Sequence, residues 1–284
     1  MADPDTLFIG AGRMGRGLAL ALSEAGGRSR LFSRSQGRVV APLAAGNVGG
    51  LAQAARSADL IVVAVPDDAI SDVARELAGT GVITEHHVVV HLSGLLDRSA
   101  LGPLAGTGAA LGSFHPLQTV ADSGAAPALL RGAVAGIEGD GRAREAGIQL
   151  AGRLGMRPIQ IGPEGKPAYH AGAAFVANYT VALAGVAERL AEAAGVSAEE
   201  AGRIYLPLLE GAIGNLKALG AVHALTGPIR RGDAATVKAH LAVLDTETAR
   251  LYCAAGLEAL KLARAAGLEE SKARILEAML NAER

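Results

Sequence analysis

The 284-residue chain has no tryptophan, only four phenylalanines and four tyrosines, and a formal net charge of −1. So few rings leave little for stacking on bases. With no basic excess to neutralise phosphates, the composition argues against nucleic-acid binding. The core must be packed from Ala, Val, Leu and Ile. A single cysteine, Cys253, excludes an intrachain disulfide framework and fits a reducing compartment. The N-terminal MADPDTLF lacks a basic segment followed by an apolar stretch, so no signal peptide is expected. The sequence is also read as having no membrane span. A cytoplasmic protein follows as the expectation.

Glycine, by contrast, is abundant, at 38 residues. The stretch Thr6 to Ala25 begins with the apolar run Leu7-Phe8-Ile9, which leads into Gly10-Ala11-Gly12-Arg13-Met14-Gly15. A run with Leu18, Ala19, Leu22 and Ala25 at helical spacing follows. Strand, glycine turn and helix in that order form the dinucleotide-binding fingerprint. Gly10 permits the tight turn, Gly12 lets the backbone approach a pyrophosphate, and Gly15 lets helix and strand pack closely. The helix N-terminus then offers free N–H groups to the phosphates.

The second strand, Arg28 to Phe32, runs into Ser33-Arg34-Ser35, and no acidic residue occurs from Gly26 to Asn47. An acid there would bond the ribose 2′-hydroxyl of NAD, whereas an arginine accommodates a 2′-phosphate, so NADP is the expected cofactor. Ala58 to Pro66 carries a buried parallel strand, with Val65 and Pro66 placed to touch the dinucleotide and Asp67 or Asp68 to cap the next helix. Val88 to Leu92 is a further strand, ending at Ser93-Gly94. His86 and His87 are read as its polar lead-in. His87 and His91 lack the spacing of a metal site, and no metal is expected. Ala110 to Phe114 ends at His115-Pro116, where a histidine can shuttle protons or bind an anion, or simply bond to backbone. Val134 to Glu138 and Arg157 to Ile161 complete an alternating β/α half that closes near Gly162.

After Gly162 the pattern becomes helical. Residues 1–162 are read as a Rossmann domain with a doubly wound, mostly parallel sheet, and 163–284 as an all-helical domain for substrate binding and dimerisation. One long apolar helix is expected over Pro167 to Ala194, with His170 and Asn178 two turns apart on one face. Lys166 precedes them. Polar side chains on an apolar helix need partners or line a cavity, so both residues are candidates for orienting a substrate between the domains, or for buried hydrogen bonding. Ser197 starts a capping box, and Pro207 should restart a helix. Thr226, Arg231, Asp233 and His240 are further polar residues able to close the cleft, or to pair at the surface. Ala-rich helical faces predict a homodimer through the second half.

GAGRMG, VAVPDDAI, VHLSG, LGSFHPLQT, YHAGAAFVANY and LTGPIRRGDAATVKAHL together resemble the Rossmann-like proteins carrying the domain of unknown function DUF2520. The wider group resembles pyrroline-5-carboxylate reductase, prephenate dehydrogenase, and the 6-phosphogluconate and 3-hydroxyisobutyrate dehydrogenases. The resemblance implies an NADP-binding N-terminal domain and a dimerising helical C-terminal domain. The reductase's MPN-type motif is replaced here by Phe114-His115-Pro116. Lys166 and Asn178 are spaced too widely for the hydroxyacid dehydrogenase motif. The expectation is an NADP-dependent oxidoreductase acting on a small C=O or C=N compound, with Ser93, His115, His170 and Asn178 at the reacting centre. A non-catalytic NADP sensor and a deazaflavin-linked reductase are the alternatives.

Overall fold

The computed structural model describes residues 4–33 and 50–282, so Arg34 and Ser35 lie outside the described residues. In chain order the first elements are β1 (Thr6–Ile9), α1 (Arg13–Glu24), β2 (Ser29–Phe32), α2 (Leu51–Arg56), β3 (Leu60–Val63), α3 (Ile70–Gly79), β4 (Val88–His91), β5 (Ala110–Leu117), α4 (Ala126–Leu130), β6 (Val134–Gly139), α5 (Gly141–Arg153) and β7 (Arg157–Gln160). They build a seven-stranded sheet of order β2-β1-β3-β4-β5-β6-β7. β1 to β5 are mutually parallel, β6 is antiparallel to β5, and β7 is parallel to β6. The fold is thus a mostly parallel doubly wound sheet.

Alternation along the strands divides the core between the two faces. Phe8, Val62, Val90 and Phe114 pack with Leu18 and Leu22 of α1 and Leu150 of α5. Leu7, Ile9, Ile61, Val63 and Val89 pack with Ile70 and Leu77 of α3 on the other face. Apolar residues throughout β1, β3 and β4 are what a parallel sheet covered on both sides requires.

The helices that follow are α6 (Lys166–Val176), α7 (Asn178–Ala193), α8 (Ala198–Ile204), α9 (Leu206–Ala224), α10 (Gly227–Arg231), α11 (Ala234–Leu241), α12 (Thr246–Ala265) and α13 (Glu270–Ala282). Ser197 accepts a hydrogen bond from Glu200 N as the cap of α8, and Pro207 sits in the first turn of α9. Val237, Cys253, Leu260, Leu276 and Leu280 form a core among α11, α12 and α13.

Several expectations change. The single helix over Pro167 to Ala194 is two helices interrupted at Ala177, whose φ of −98° and ψ of −65° leave the regular helical values. The described residues fall into two compact units, one ending at Asn178 and one beginning at Tyr179, and Lys166 and Tyr169 of α6 bond to β5 and to the turn after β4; the sequence pattern alone places the division at Gly162. β5 continues through His115 and Pro116 to Leu117, paired with β6, where a loop was expected. Its pairing with β4 ends at Ser113, so one side of β5 is open beyond that point, and an open strand side tolerates proline. The segment Pro163–Ala193 is long and apolar enough to cross a bilayer by length and composition, and Pro167 to Ala187 contains no Asp, Glu, Lys or Arg.

Candidate functional site

Because β1 to β5 run parallel, the residues following each of them gather at one edge of the sheet. Strand order reverses direction between β1 and β3, which opens the crevice where such sheets bind ligands. The glycine turn lies there. Gly10 has φ +116°, and a side chain on it would overlap the Ala64 carbonyl at the end of β3. A side chain on Gly15 would overlap the Gly10 carbonyl and come within 2.9 Å of Ala64 Cβ. These two glycines are required by close packing of turn, helix and strand. Gly12 differs, since a Cβ there would meet nothing within 4 Å. Gly12 is also the N-cap of α1, no side chain caps that end, and its first turn carries no acid. An uncapped helix start beside open space, bordered by Ala11, Arg13 and Met14, fits a pyrophosphate. Val65 borders the turn, its Cγ1 3.0 Å from where a Gly10 Cβ would stand, and Pro66 follows at the exposed rim. Ser33 is buried at the end of β2.

Beyond the crevice the same edge carries a cluster of polar side chains. Strand register places His91, Ser113 and Glu138 in one row across β4, β5 and β6, and all three are buried. Ser93 N–H donates to His91 Nδ1 at 3.2 Å, so the ring proton is on Nε2, which donates to the Asp97 carbonyl at 2.9 Å. Burial lowers the His91 pKa to about 4, against the opposing backbone hydrogen bond. His91 is therefore a neutral structural histidine. His87 is also fully buried, accepting from Thr84 N and bonded to the Ala55 carbonyl, which corrects its reading as a polar lead-in; His86 is exposed.

Lys166, the first residue of α6, is 2% exposed. Its Nζ donates to the Ser93 carbonyl at 3.1 Å and to Ser113 Oγ at 2.8 Å, tying the turn after β4 and the middle of β5 to the helix. Burial lowers its pKa, with Glu138, Asp97 and Asp67 opposing. Burial likewise raises the pKa of Glu138, which accepts from Arg98 N. Ser93 Oγ donates to Asp67 Oδ2 at 2.7 Å and accepts from Leu95 N and Leu96 N. One donor and two acceptor sites are all a hydroxyl has. Ser93 therefore holds its loop together and has no hydrogen-bonding capacity left for a reactant, contrary to the role expected of it. Asp67 is a partner of Ser93 and not a helix cap; α3 begins without a side-chain cap.

His115 sits next to this row. Its Nδ1 lies 3.0 Å from Tyr169 Oη, and its ring meets those of Tyr169 and His170 edge-on, each with a centroid separation of 5.5 Å. Burial first, then the neighbouring His170 and Lys166, lower the His115 pKa to about 4, with Asp67 opposing. His115 is thus neutral at physiological pH. Gly94 is buried beneath the pair: a Cβ on it would stand 2.8 Å from His115 Nε2 and would overlap His170 Nδ1. Two ring nitrogens thus converge on a notch that only glycine leaves open.

α6 supplies Lys166, Tyr169 and His170 from one face, at spacings of three and four residues. The i, i+3, i+4 set was legible in the sequence, which instead paired His170 with Asn178 and passed over Tyr169. Asn178 is exposed and opens α7, beyond the interruption at Ala177. Asp233 caps α11 through Thr236, and His240 Nδ1 lies 2.9 Å from Tyr252 Oη. Among the described residues, no group of three or more His, Cys, Asp or Glu is placed to hold a metal ion.

Residues 5–116 match the family model of a Rossmann-like domain, and residues 133–259 match that of a domain of unknown function, DUF2520. The second match begins next to β6, so it includes the two strands that run against the rest of the sheet. Among curated proteins, none matches this sequence. Solved structures match over nearly the whole length. One is a Bacteroides fragilis protein provisionally named an NADP oxidoreductase, at 22% identity and TM-score 0.63, covering 93% of this chain and 97% of that one. Another is Plasmodium falciparum pyrroline carboxylate reductase with NADP bound, at 15% identity and TM-score 0.61, covering 98% and 99%. A third is an imine reductase from Myxococcus stipitatus in complex with NADP+, at 18% identity and TM-score 0.57, covering 98% and 93%.

Proposed function

We propose that this chain, a Rossmann-like domain followed by a DUF2520 domain, is an NADP-dependent oxidoreductase that works on a small C=O or C=N compound. The observation that carries the reading is the convergence of His115 and His170 over Gly94, on the same sheet edge as an uncapped, glycine-lined helix start. Residues Gly10 to Gly15 would hold the pyrophosphate, and Val65 and Pro66 would flank the dinucleotide. Bound there, the nicotinamide supplies or accepts the hydride. The protein binds and orients the reactant: the neutral His115 sets its Nε2 against the reacting heteroatom, and the exposed His170, on the other side, exchanges the reaction's one proton with solvent. Lys166 fixes the turn after β4 and the strand β5 on which this geometry depends. Structures of similar fold whose names record bound NADP support the cofactor class. The preference for NADP over NAD rests on Ser33-Arg34-Ser35 and on the absence of an acid from Gly26 to Asn47.

The protein works as a homodimer in a reducing compartment. Val181, Leu183 and Leu190 of α7 and Leu206, Leu208, Ile213, Leu216 and Leu219 of α9 are all exposed. Fully burying such a side chain is worth roughly 1.5–3 kcal/mol, so the set leaves on the order of 10 kcal/mol ungained in a lone chain. A second copy accounts for this surface better than a bilayer does. The surface spans two helices, and exposed Glu188, Glu210 and Lys217 lie among the apolar residues.

Fluorescence titration with NADPH and NADH tests the cofactor. NADPH is expected to bind more tightly, and tighter NADH would overturn the preference. A panel of keto acids, hydroxy acids, cyclic imines and deazaflavin, followed by NADPH absorbance, then tests the chemistry. His115→Ala should lower the rate on any substrate found by roughly 10²–10⁴-fold. A wild-type rate would remove His115 from the site.

A further inference from the structure

The notch over Gly94 is lined by two histidine nitrogens, and what it can hold depends on which of them carries a proton. His170 is exposed, so its tautomer can adapt. His115 is constrained, because its Nδ1 faces Tyr169 Oη at 3.0 Å. The Tyr169 hydroxyl is itself pinned. It lies against Gly136, the β6 residue paired with His115, where a Cβ would stand 2.7 Å from Oη. Burial raises the phenol pKa, so the hydroxyl keeps its proton at neutral pH. Its hydrogen-bond partner is His115 Nδ1, and a phenol O–H donates more readily than a neutral imidazole N–H. The phenolic proton therefore goes to His115 Nδ1.

We infer that Tyr169 is a positioning residue that holds His115 in the Nε2–H tautomer, so that the notch over Gly94 takes a hydrogen-bond acceptor. The inference deepens the oxidoreductase reading and rests on it for the identity of the notch as the reactant site. It narrows the substrate class to a hydrogen-bond acceptor, a carbonyl oxygen or a neutral imine nitrogen, and away from a pre-formed iminium ion. A carbonyl or hydroxyl oxygen has lone pairs to accept from Nε2–H. An iminium nitrogen has none, so a donor in the notch offers it no bond. Hydride addition to a carbonyl instead builds negative charge on oxygen, which a donor in the notch stabilises.

The tautomer belongs to the free protein and is read without substrate or cofactor, by long-range ¹H–¹⁵N correlation of the histidine side chains at neutral pH. The expected result is a protonated Nε2 and an unprotonated Nδ1 for His115. In Tyr169→Phe the tautomer ratio should shift by about fivefold, the loss of one net hydrogen bond. The buried His87 and His91 signals should stay in place and report an intact fold. A wild-type His115 protonated on Nδ1 would make Nε2 an acceptor, suited to an N–H substrate, and would overturn the inference. An unchanged ratio in Tyr169→Phe would overturn it equally. NADPH titration of the same sample tests the cofactor reading separately, so failure of one can be told from failure of the other.

Discussion

The two compact units solve the burial problem differently. In residues 1–178 the sheet is covered on both faces, and strands β1, β3 and β4 are buried along their whole length. In residues 179–284 only α11, α12 and α13, with α10 against them, close a core, whereas α9 has no buried residue and α7 only Ala191. Both units are rich in apolar residues. What separates them is closure. A parallel sheet covered by its own helices buries both of its apolar faces, while helices with apolar residues on most sides need more neighbours than one short chain supplies.

The largest effect should come from attacking that difference at the open unit. Val181→Glu with Leu208→Glu should convert the protein from dimer to monomer in analytical ultracentrifugation. A wild-type protein that sediments as a monomer would end the contrast, and a double variant that still dimerises would move the interface elsewhere. Next in size is the closed unit's glycine turn. Gly10→Ala forces a Cβ onto the Ala64 carbonyl at a φ of +116°, and NADPH affinity should fall by roughly 100-fold or more, the loss of a few kcal/mol of site geometry. Gly12→Ala meets no protein atom, so it should keep the thermal stability of wild type while still weakening NADPH. Equal binding by Gly12→Ala and wild type would place the pyrophosphate elsewhere.

A smaller effect concerns pH. His91 and His115 both have folded-state pKa values lowered to about 4 from 6.5. Between those values the unfolded chain binds more protons than the folded one. Their contribution is therefore complete above about pH 6.5 and is lost as the pH falls toward 4. The fully buried His91 alone should cost about 2 kcal/mol between pH 7 and pH 5, with a smaller share from the half-buried His115. Urea unfolding at the two pH values checks this, and equal stability would show that neither ring is held neutral. Both histidines belong to the sheet unit, so the loss should appear in that unit's unfolding and spare the helical one.

How much of this was legible varies by element. The glycine turn and strands β1 and β3 were readable because short apolar runs bounded by Gly, Pro or Asp have few other solutions, and β4 because three consecutive valines precede Ser93-Gly94. The extension of β5 through Pro116 was not, because proline reads as a stop unless the far side of the strand is known to be open. The interruption at Ala177 has no glycine or proline to announce it. In the site, His115 and His170 stood out as polar residues in apolar surroundings. Tyr169 did not, because a tyrosine on an apolar helix passes for packing. Ser93 was misjudged for the opposite reason: its position at a strand end suggested chemistry, and only its three hydrogen bonds reveal a hydroxyl already used.

The sequence by itself determined the order of strand, glycine turn and helix, the likeness to two domain families, and the positions where polar groups interrupt apolar runs, since each is a matter of local pattern. Which of those polar groups face one another was decided by tertiary structure alone. The neighbours of His115 come from the turn after β4, from β6 and from α6, segments distant in the chain that only sheet register and helix docking bring together.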